Sequence, residues 1–193
     1  YTLSLHDALP ICHFYTLTAP TGIGKTFGCL AFAQKLKKQL SEGEGRIIYC
    51  LPYTSIIDQN HEEFRKIFQF VMVHDFEKRP HRYLLKHHHL SKTNIKNRKN
   101  EEEYSYKDYM DDRLFTEAWD SSFIVTTFVQ FFHTLIGHKN RFLKKLHNIV
   151  NSIVILDEIQ NIPPDYHHLL GQTLDIFGRR FNTYFLLITA TQP

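Results

Sequence analysis

The apolar and polar residues of this chain follow two patterns in turn, one typical of strands and the other typical of helices. Short runs dominated by apolar residues have the length and composition of buried strands, and they lie at residues 13–18, 46–51, 123–126, 153–156 and 184–188. Between these runs, apolar residues recur at intervals of three or four, as on one face of a helix. Strand and helix alternation predicts an α/β fold with three layers, in which a mostly parallel sheet carries helices on both faces.

The predicted helices have recognisable ends. The first covers residues 25–40, and the second starts after Pro52. Gly137 can cap the end of the third helix, and Asp165 opens the fourth after the Pro163-Pro164 break. These boundaries leave loops at the carboxyl ends of the predicted strands, where open α/β sheets bind ligands.

A glycine-rich turn joins the first strand to the first helix. Its sequence is Ala19-Pro20-Thr21-Gly22-Ile23-Gly24-Lys25-Thr26. Gly22 and Gly24 allow a tight turn with bare N–H groups, and the helix start adds partial positive charge. Lys25 can reach the β and γ phosphates of a nucleotide, and Thr26 can hold Mg²⁺. The predicted ATP-binding residues are Thr21, Gly22, Ile23, Gly24, Lys25 and Thr26, although Ala19 departs from the usual G-x-x-x-x-G-K-S/T pattern.

Two adjacent carboxylates follow the predicted strand at residues 153–156. In a parallel sheet that strand ends at the same edge as the glycine-rich turn, so Asp157 and Glu158 are expected close to the phosphates. Asp157 is predicted to bind Mg²⁺ together with Thr26, and Glu158 to orient or deprotonate the attacking water. Lys25, Asp157 and Glu158 are therefore the predicted catalytic set.

Composition favours one globular domain and leaves the partner undecided. A chain of 193 residues with 42% hydrophobic residues has enough apolar side chains for one sheet with helices on both faces. The formal net charge of +3 is too small to indicate nucleic-acid binding by itself. The three cysteines, Cys12, Cys29 and Cys50, form no pairing pattern, and no apolar run is long enough to cross a bilayer. We therefore expect a cytoplasmic protein with no membrane partner.

The two ends of the chain and its middle depart from the regular alternation. Residues 1–12 are expected to be a non-native or disordered leader, because residues 1–11 resemble translated cloning or adapter sequence. The predicted domain covers residues 13–193 and is expected to be truncated after a Thr-Ala-Thr motif. Residues 76–118 are charged and poor in apolar side chains, so they are predicted to form an exposed polar insertion whose last third is a helix leading to Trp119.

Two features invite a metal interpretation, and neither completes a set of ligands. Three adjacent histidines at residues 87–89 cannot all face one ion in a regular element, so a solvated loop is the favoured interpretation. The doublets His6-Asp7 and His74-Asp75 could belong to a metal-dependent HD phosphohydrolase. That chemistry requires further histidine and aspartate ligands on separate helices, and the sequence shows no recognisable arrangement of them.

Five motifs occur together between residues 13 and 193. They are Pro-Thr-Gly-Ile-Gly-Lys-Thr at 20–26, Leu-Pro-Tyr-Thr-Ser-Ile-Ile-Asp-Gln at 51–59, Trp119 through Thr-Thr-Phe-Val-Gln at 126–130, Asp-Glu-Ile-Gln at 157–160, and Thr-Ala-Thr at 189–191. In this combination the chain resembles the first RecA-like domain of the CRISPR-associated type I helicase-nuclease, a superfamily 2 DNA helicase. The resemblance implies a RecA-like P-loop NTPase fold that binds ATP and Mg²⁺.

The resemblance also implies a motor that moves 3′ to 5′ on single-stranded DNA and is recruited by the Cascade surveillance complex. By the same resemblance, the residues that contact DNA phosphates are Tyr53, Thr54, Ser55, Thr126 and Thr127, and those that couple hydrolysis to domain movement are Gln160, Thr189 and Thr191. Hydroxyl groups at strand ends can bind phosphate oxygens without reading bases. The same hydroxyl groups could equally be helix caps, and the sequence leaves both interpretations open.

The family's second RecA-like domain and HD nuclease domain are expected in the parent protein rather than in these residues. The arginine finger belongs to that second domain, so we expect the 193 residues alone to hydrolyse ATP very slowly. Two alternatives fit the same nucleotide motifs. One is another superfamily 2 motor, such as a restriction-enzyme translocase or an RNA helicase, and the other is a nucleotide-dependent binding module.

Overall fold

The core of the fold is a six-stranded sheet in which every pair of neighbouring strands is parallel. The computed structural model describes residues 12–20, 22, 24–41, 45–87 and 115–190. The strands are β1 Phe14–Thr18, β2 Ile47–Leu51, β3 Leu84–His87, β4 Phe123–Thr127, β5 Ile153–Asp157 and β6 Tyr184–Thr189. Their spatial order is β1-β6-β5-β2-β4-β3. The predicted parallel sheet is confirmed.

Helices connect the strands and cover the sheet. The α-helices are α1 Lys25–Ser41, α2 Thr54–Val71, α3 Val73–Lys78, α4 Pro80–Tyr83, α5 Phe128–Ile136, α6 Asn140–Leu146 and α7 His167–Phe181. Two short 3-10 turns, Ile159–Asn161 and Pro164–Tyr166, lie between β5 and α7. Within the described part of the chain, no helix is both long enough and apolar enough to span a bilayer.

Alternate residues of each central strand enter two separate cores. Along β2, Ile47 and Tyr49 face one core, whereas Ile48 and Cys50 face the other, because side chains on a strand alternate between its two faces. The first core is closed by α1 and α2, and the second by α5 and α7. Both β2 and β4 are buried at every position. The three-layer arrangement predicted from the sequence is therefore confirmed.

The prediction of a polar insertion at residues 76–118 is wrong at its start. Phe76 is buried in the first core, and Leu84 and Leu85 belong to β3, which pairs in parallel with β4. The strand is only four residues long and ends in Lys86-His87, so its apolar signal is too short to stand out in a charged segment. At the other end, residues 115–118 are helical and lead to the fully buried Trp119. Residues 88–114, with two of the three adjacent histidines, lie outside the described residues.

The helix ends differ from the predicted ones in small ways. The segment after Pro163 begins as the 3-10 turn Pro164–Tyr166, and α7 proper begins at His167, two residues after Asp165. Gly137 does follow the last residue of α5, and its N–H donates to the carbonyl of His133 at 2.9 Å. Its φ of −73° is not left-handed, so a different property of glycine matters here. A Cβ on Gly137 would lie 2.2 Å from that same carbonyl oxygen, which leaves no room for a side chain.

Helix α5 offers a matched pair of residues for testing the second core. Phe131 is fully buried, whereas Val129 on the same helix is 62% exposed. We expect Phe131→Ala to lower the free energy of unfolding by about 3–5 kcal/mol, because it leaves a cavity among packed aromatic side chains. Val129→Ala should change it by less than about 0.5 kcal/mol. Urea denaturation followed by circular dichroism measures both, and similar values for the two variants would contradict this packing.

Candidate functional site

Several of the predicted site residues lie together at the carboxyl edge of the sheet, among them Lys25, Asp157, Glu158 and Thr189. Strand register sets Thr18 at the end of β1 beside Thr189 at the end of β6, and Asp157 at the end of β5 beside Ile188. The hydroxyl groups of Thr18 and Thr189 lie 3.1 Å apart, and the N–H of Ala19 donates to the carbonyl of Thr189. The loop that leaves β1 is therefore tied to the motif that follows β6.

The glycine-rich turn has the backbone that its sequence predicts. Gly22 and Gly24 both have φ of +82°, a conformation that residues with a Cβ seldom adopt. A Cβ on either glycine would meet no atom within 4 Å, so glycine is required by the conformation and not by a shortage of space. The helix then starts at once, because the N–H of Gly28 donates to the carbonyl of Gly24 at 3.1 Å. Thr21 and Ile23 lie outside the described residues.

An ion pair joins the glycine-rich turn to the end of β5. The Nζ atom of Lys25 lies 3.3 Å from Oε1 of Glu158, a residue 133 positions away in the sequence. The two side chains are only 9% and 26% exposed, so water screens the pair less than it screens a surface salt bridge. The predicted convergence of Lys25 and Glu158 is thus present as a direct contact.

Asp157 is half-buried beside this pair, and its two carboxylate oxygen atoms differ in their hydrogen bonding. Its Oδ2 atom accepts a hydrogen bond from the hydroxyl of Tyr49. Its Oδ1 atom is buried and has no hydrogen-bond partner among the described residues. Burial raises the pKa of Asp157, and the neighbouring negative charge of Glu158 adds to that, while the Tyr49 hydrogen bond and Lys25 oppose it. A buried carboxylate oxygen of this kind is an oxygen donor suited to Mg²⁺.

Glu158 is held in an unusual backbone conformation. Its φ and ψ are 58° and 46°, in the left-handed region, which costs of order 1–3 kcal/mol for a residue other than glycine. The side chain of Asn161 donates to the Glu158 carbonyl at 3.0 Å, and Gln160 donates to its Oε2 atom. Glu158 thus has partners on both its backbone and its carboxylate. The predicted coupling residue Gln160 is one of them.

The predicted DNA-contacting residues fall into two groups. Tyr53 and Ser55 are exposed at the start of α2 and Thr54 is half-buried between them, while the Tyr53 hydroxyl donates to Asn161 at 3.2 Å. Thr126 is fully buried, and its hydroxyl donates to the carbonyl of His87 at 2.7 Å. Thr127, which is 5% exposed, accepts the N–H of Gln130 at 3.1 Å and caps α5.

For Thr127 the helix-cap interpretation is therefore the one that the structure bears out. Contacts between DNA phosphates and Thr126 or Thr127 stay predictions, and in this structure both hydroxyl groups are used within the fold. Thr189 lies at the predicted edge, whereas Thr191 is outside the described residues. Among the described ranges, no three histidine, cysteine, aspartate or glutamate side chains cluster as a metal site.

Tyr49 and Asn161 contact the predicted site residues, and sequence reasoning did not identify either of them. Tyr49 reads as one more apolar position of a buried strand, and nothing local shows that its hydroxyl reaches Asp157. Asn161 follows the Asp-Glu-Ile-Gln motif directly, so its position near Glu158 could have been inferred from that spacing. Cys29 lies nearby in α1, and burial, with a smaller contribution from Asp157, raises the pKa of its thiol to about 12.

Comparison with known proteins agrees with this geometry. Residues 4–193 match the DEAD/DEAH box helicase family. The chain is 36% identical, over 191 residues, to the CRISPR-associated nuclease/helicase Cas3 of Haloferax volcanii, covering 92% of this chain and 19% of that protein. Within that alignment this chain corresponds to about a fifth of the relative's length.

Two solved structures have the same fold. A crystal structure of T. fusca Cas3 superimposes with a TM-score of 0.70 at 22% identity, covering 92% of this chain and 20% of that chain. The crystal structure of T. fusca Cas3-ADP gives a TM-score of 0.67 at 21% identity, covering 92% and 18%. The family match spans nearly all of the residues and the nucleotide motifs meet at one edge of the sheet, so the chain belongs to the DEAD/DEAH box helicase family.

Proposed function

We propose that this chain is the ATP-driven motor domain of a DNA helicase that acts in type I CRISPR antiviral interference. The observation that carries the proposal is the Lys25–Glu158 contact, which brings the phosphate-binding turn and the hydrolytic carboxylates to one place. The likeness of the chain to the nuclease/helicase Cas3 of Haloferax volcanii supports the CRISPR role.

Nucleotide binding rests on the turn that opens α1. The N–H groups of Gly22 and Gly24 and the start of α1 offer donors and partial positive charge to phosphate oxygens. Lys25 adds a full positive charge at the same place. The crystal structures of T. fusca Cas3 include complexes with ATP and ADP, which supports the same class of ligand here.

The residues around Asp157 fit a magnesium ion. The buried Oδ1 atom of Asp157, with no partner among the described residues, and the hydroxyl of Thr26 are both oxygen donors, the type that Mg²⁺ prefers. We infer that Asp157 and Thr26 would hold the ion, whose chemistry is to neutralise charge on the phosphates.

Glu158 is the residue that we assign to the attacking water. Its carboxylate is fixed by Lys25 on one oxygen and by Gln160 on the other, and its carbonyl by Asn161. A carboxylate fixed in this way can orient a water and accept its proton.

Single-stranded DNA is the nucleic acid that we propose this domain binds. Tyr53, Thr54 and Ser55 lie at the same carboxyl edge as the ATPase residues, with hydroxyl groups that can bind phosphates without reading bases. Tyr53 is linked through Asn161 to Glu158, so a DNA contact there adjoins the hydrolytic carboxylate. Gln160, Thr189 and Thr191 remain the proposed coupling residues.

The wider context is also part of the proposal. We infer a parent protein with a second RecA-like domain and an HD nuclease domain, recruited to DNA by the Cascade surveillance complex. The name of the Haloferax relative, a nuclease as well as a helicase, supports the nuclease domain.

The first test concerns nucleotide binding by Lys25. Replacing Lys25 with alanine removes a charge-assisted hydrogen bond to phosphate, so ATP should bind about 10-fold to 100-fold more weakly. Titration of a fluorescent ATP analogue measures this, with Lys35→Ala, an exposed lysine of the same helix, as the control. Equal affinities of the Lys25→Ala variant and the unchanged chain would refute the site.

A second test separates binding from hydrolysis at Glu158. Glu158→Gln keeps the shape of the side chain but removes a negative charge that partly neutralises the positive charge offered to phosphate by Lys25. Nucleotide affinity should therefore stay equal or rise severalfold, while hydrolysis by the whole helicase should slow by about 10² to 10⁴. The same fluorescence titration and a phosphate-release assay give both quantities. A clear loss of affinity, or unchanged hydrolysis, is the contrary result.

A third test concerns DNA. We expect weak binding of single-stranded oligonucleotides without sequence preference, and a log-log salt slope of about −1 to −2, because hydroxyl contacts release no counterions. Ser55→Ala removes an exposed hydroxyl and should weaken binding roughly tenfold without loss of stability. Fluorescence anisotropy across a salt series measures both. A much steeper slope that Ser55→Ala leaves unaltered would move the DNA to another, more basic surface.

Thr127 supplies the matched control for that test, because its cap role is known from the structure. Thr127→Ala should lower the free energy of unfolding by about 1 kcal/mol through loss of the cap. Thr127→Asp keeps an acceptor for the Gln130 N–H, although at this 5% exposed position its charge is costly to bury, and that charge repels phosphates. A stable Thr127→Asp variant with undiminished DNA binding would remove Thr127 from the DNA surface.

A further inference from the structure

A tyrosine hydroxyl lies buried directly beneath the candidate ATPase site. Tyr49 in β2 has no exposed surface, and its ring packs edge-on against Phe64, with centroids 5.1 Å apart, and near Phe123 at 6.4 Å. Phenylalanine would fill the same space without bringing a polar group into the core. The hydroxyl therefore has to be explained by what it binds.

Strand register directs that hydroxyl to one residue. The Cα partner of Tyr49 on β5 is Ile155, so Asp157 lies two positions further towards the carboxyl edge and on the same face of the sheet. The Tyr49 hydroxyl reaches across that distance and donates to Oδ2 of Asp157 at 2.5 Å. The packing of the ring fixes the donor, and the donor in turn fixes the rotation of the carboxylate.

This contact makes the two oxygens of Asp157 unequal. Oδ2 is satisfied by Tyr49, while Oδ1 is buried with no partner among the described residues. A buried polar atom without a partner is unfavourable, and a bound ion or its water shell would supply the missing partner. The Tyr49 hydroxyl also interacts with the side chain of Thr26, the other residue assigned to the cation.

We propose that Tyr49 is a positioning residue for the divalent cation, holding Asp157 by Oδ2 so that Oδ1 faces the ion. The inference rests on the proposed function, because it assigns the cation to the ATPase site. Neighbours that orient a metal ligand typically affect metal affinity by about 10-fold to 100-fold.

The experiment removes only the hydroxyl, with Tyr49→Phe, and uses Mn²⁺ as the spectroscopic probe. Electron paramagnetic resonance measures free Mn²⁺ in titrations of the chain with and without ADP. We expect the variant to bind Mn²⁺ about 10-fold to 100-fold more weakly. ADP affinity measured in EDTA should stay within about twofold, because Lys25 and the glycine-rich turn are unchanged.

Two further variants separate positioning from general damage to the sheet. Tyr184→Phe also removes a tyrosine hydroxyl from the sheet, one that donates to Asn182 at 2.8 Å, and it should leave Mn²⁺ affinity unchanged. In an Asp157→Ala background, Tyr49→Phe should cause little further loss, because the hydroxyl would act through Asp157. Additive losses in that double variant would mean that Tyr49 does not act through Asp157.

Each outcome is decisive. Equal Mn²⁺ affinity in Tyr49→Phe and the unchanged chain overturns the inference, and so does loss of the thermal unfolding transition in the variant, since the hydroxyl would then serve the core. If the unchanged chain binds no nucleotide while Mn²⁺ uptake still depends on Tyr49, the proposed function fails and the inference stands. If nucleotide binds and Mn²⁺ uptake does not depend on Tyr49, the inference about Tyr49 fails and the proposed function stands.

Discussion

The parallel register of the sheet is the constraint on which the whole site depends. Because β1, β5 and β6 run in one direction, their carboxyl ends meet, and residues from distant parts of the chain come within bonding distance. The Lys25–Glu158 ion pair and the Thr18–Thr189 contact both follow from this, since each joins residues more than 130 positions apart. A slip of one residue in β5 would turn Asp157 to the opposite face and away from Tyr49, because side chains alternate along a strand. The double burial of the central strands opposes such a slip, so the same cores that stabilise the sheet also hold the site.

The strained backbone of Glu158 is tolerated because several hydrogen bonds from its neighbours hold the residue in this conformation. A left-handed glutamate is unfavourable by itself, yet its carbonyl accepts from both the backbone and the side chain of Asn161, and both carboxylate oxygens have donors. The Tyr53 hydroxyl holds Asn161 from the opposite side. Tyr53 lies on the exposed start of α2, so the conformation of Glu158 is connected to a surface that a ligand can reach. This is a physical route by which occupation of the α2 surface could alter the hydrolytic carboxylate, and it requires no movement of the sheet.

The features that the sequence predicts are those that depend on neighbouring residues, and the features that it does not predict depend on contacts between residues far apart in the chain. The run Ile153–Leu156 and the glycine-rich turn are local signals, and both were predicted in place. Strand β3 was missed because its four residues owe their conformation to pairing with β4, a partner about forty residues away that no local pattern reveals. Tyr49 was missed for a similar reason, since an apolar strand pattern conceals a hydroxyl whose partner lies 108 residues further on. For Thr127 the sequence left cap and phosphate contact equally open, because both need the same hydroxyl at a strand end. Only the hydrogen bond to Gln130 distinguishes them.

The Lys25–Glu158 pair also bears on how one lysine can serve two purposes. An ammonium group carries three N–H donors, and Glu158 accepts one of them. Lys25 can therefore bind phosphate oxygens while still contacting Glu158, which would keep the base beside the phosphate that its water attacks. Glutamine at position 158 would preserve the shape of this bridge but not its charge. Binding and hydrolysis are thus expected to separate at Glu158, whereas at Lys25 they should be lost together, and this asymmetry follows from the geometry of a single ion pair.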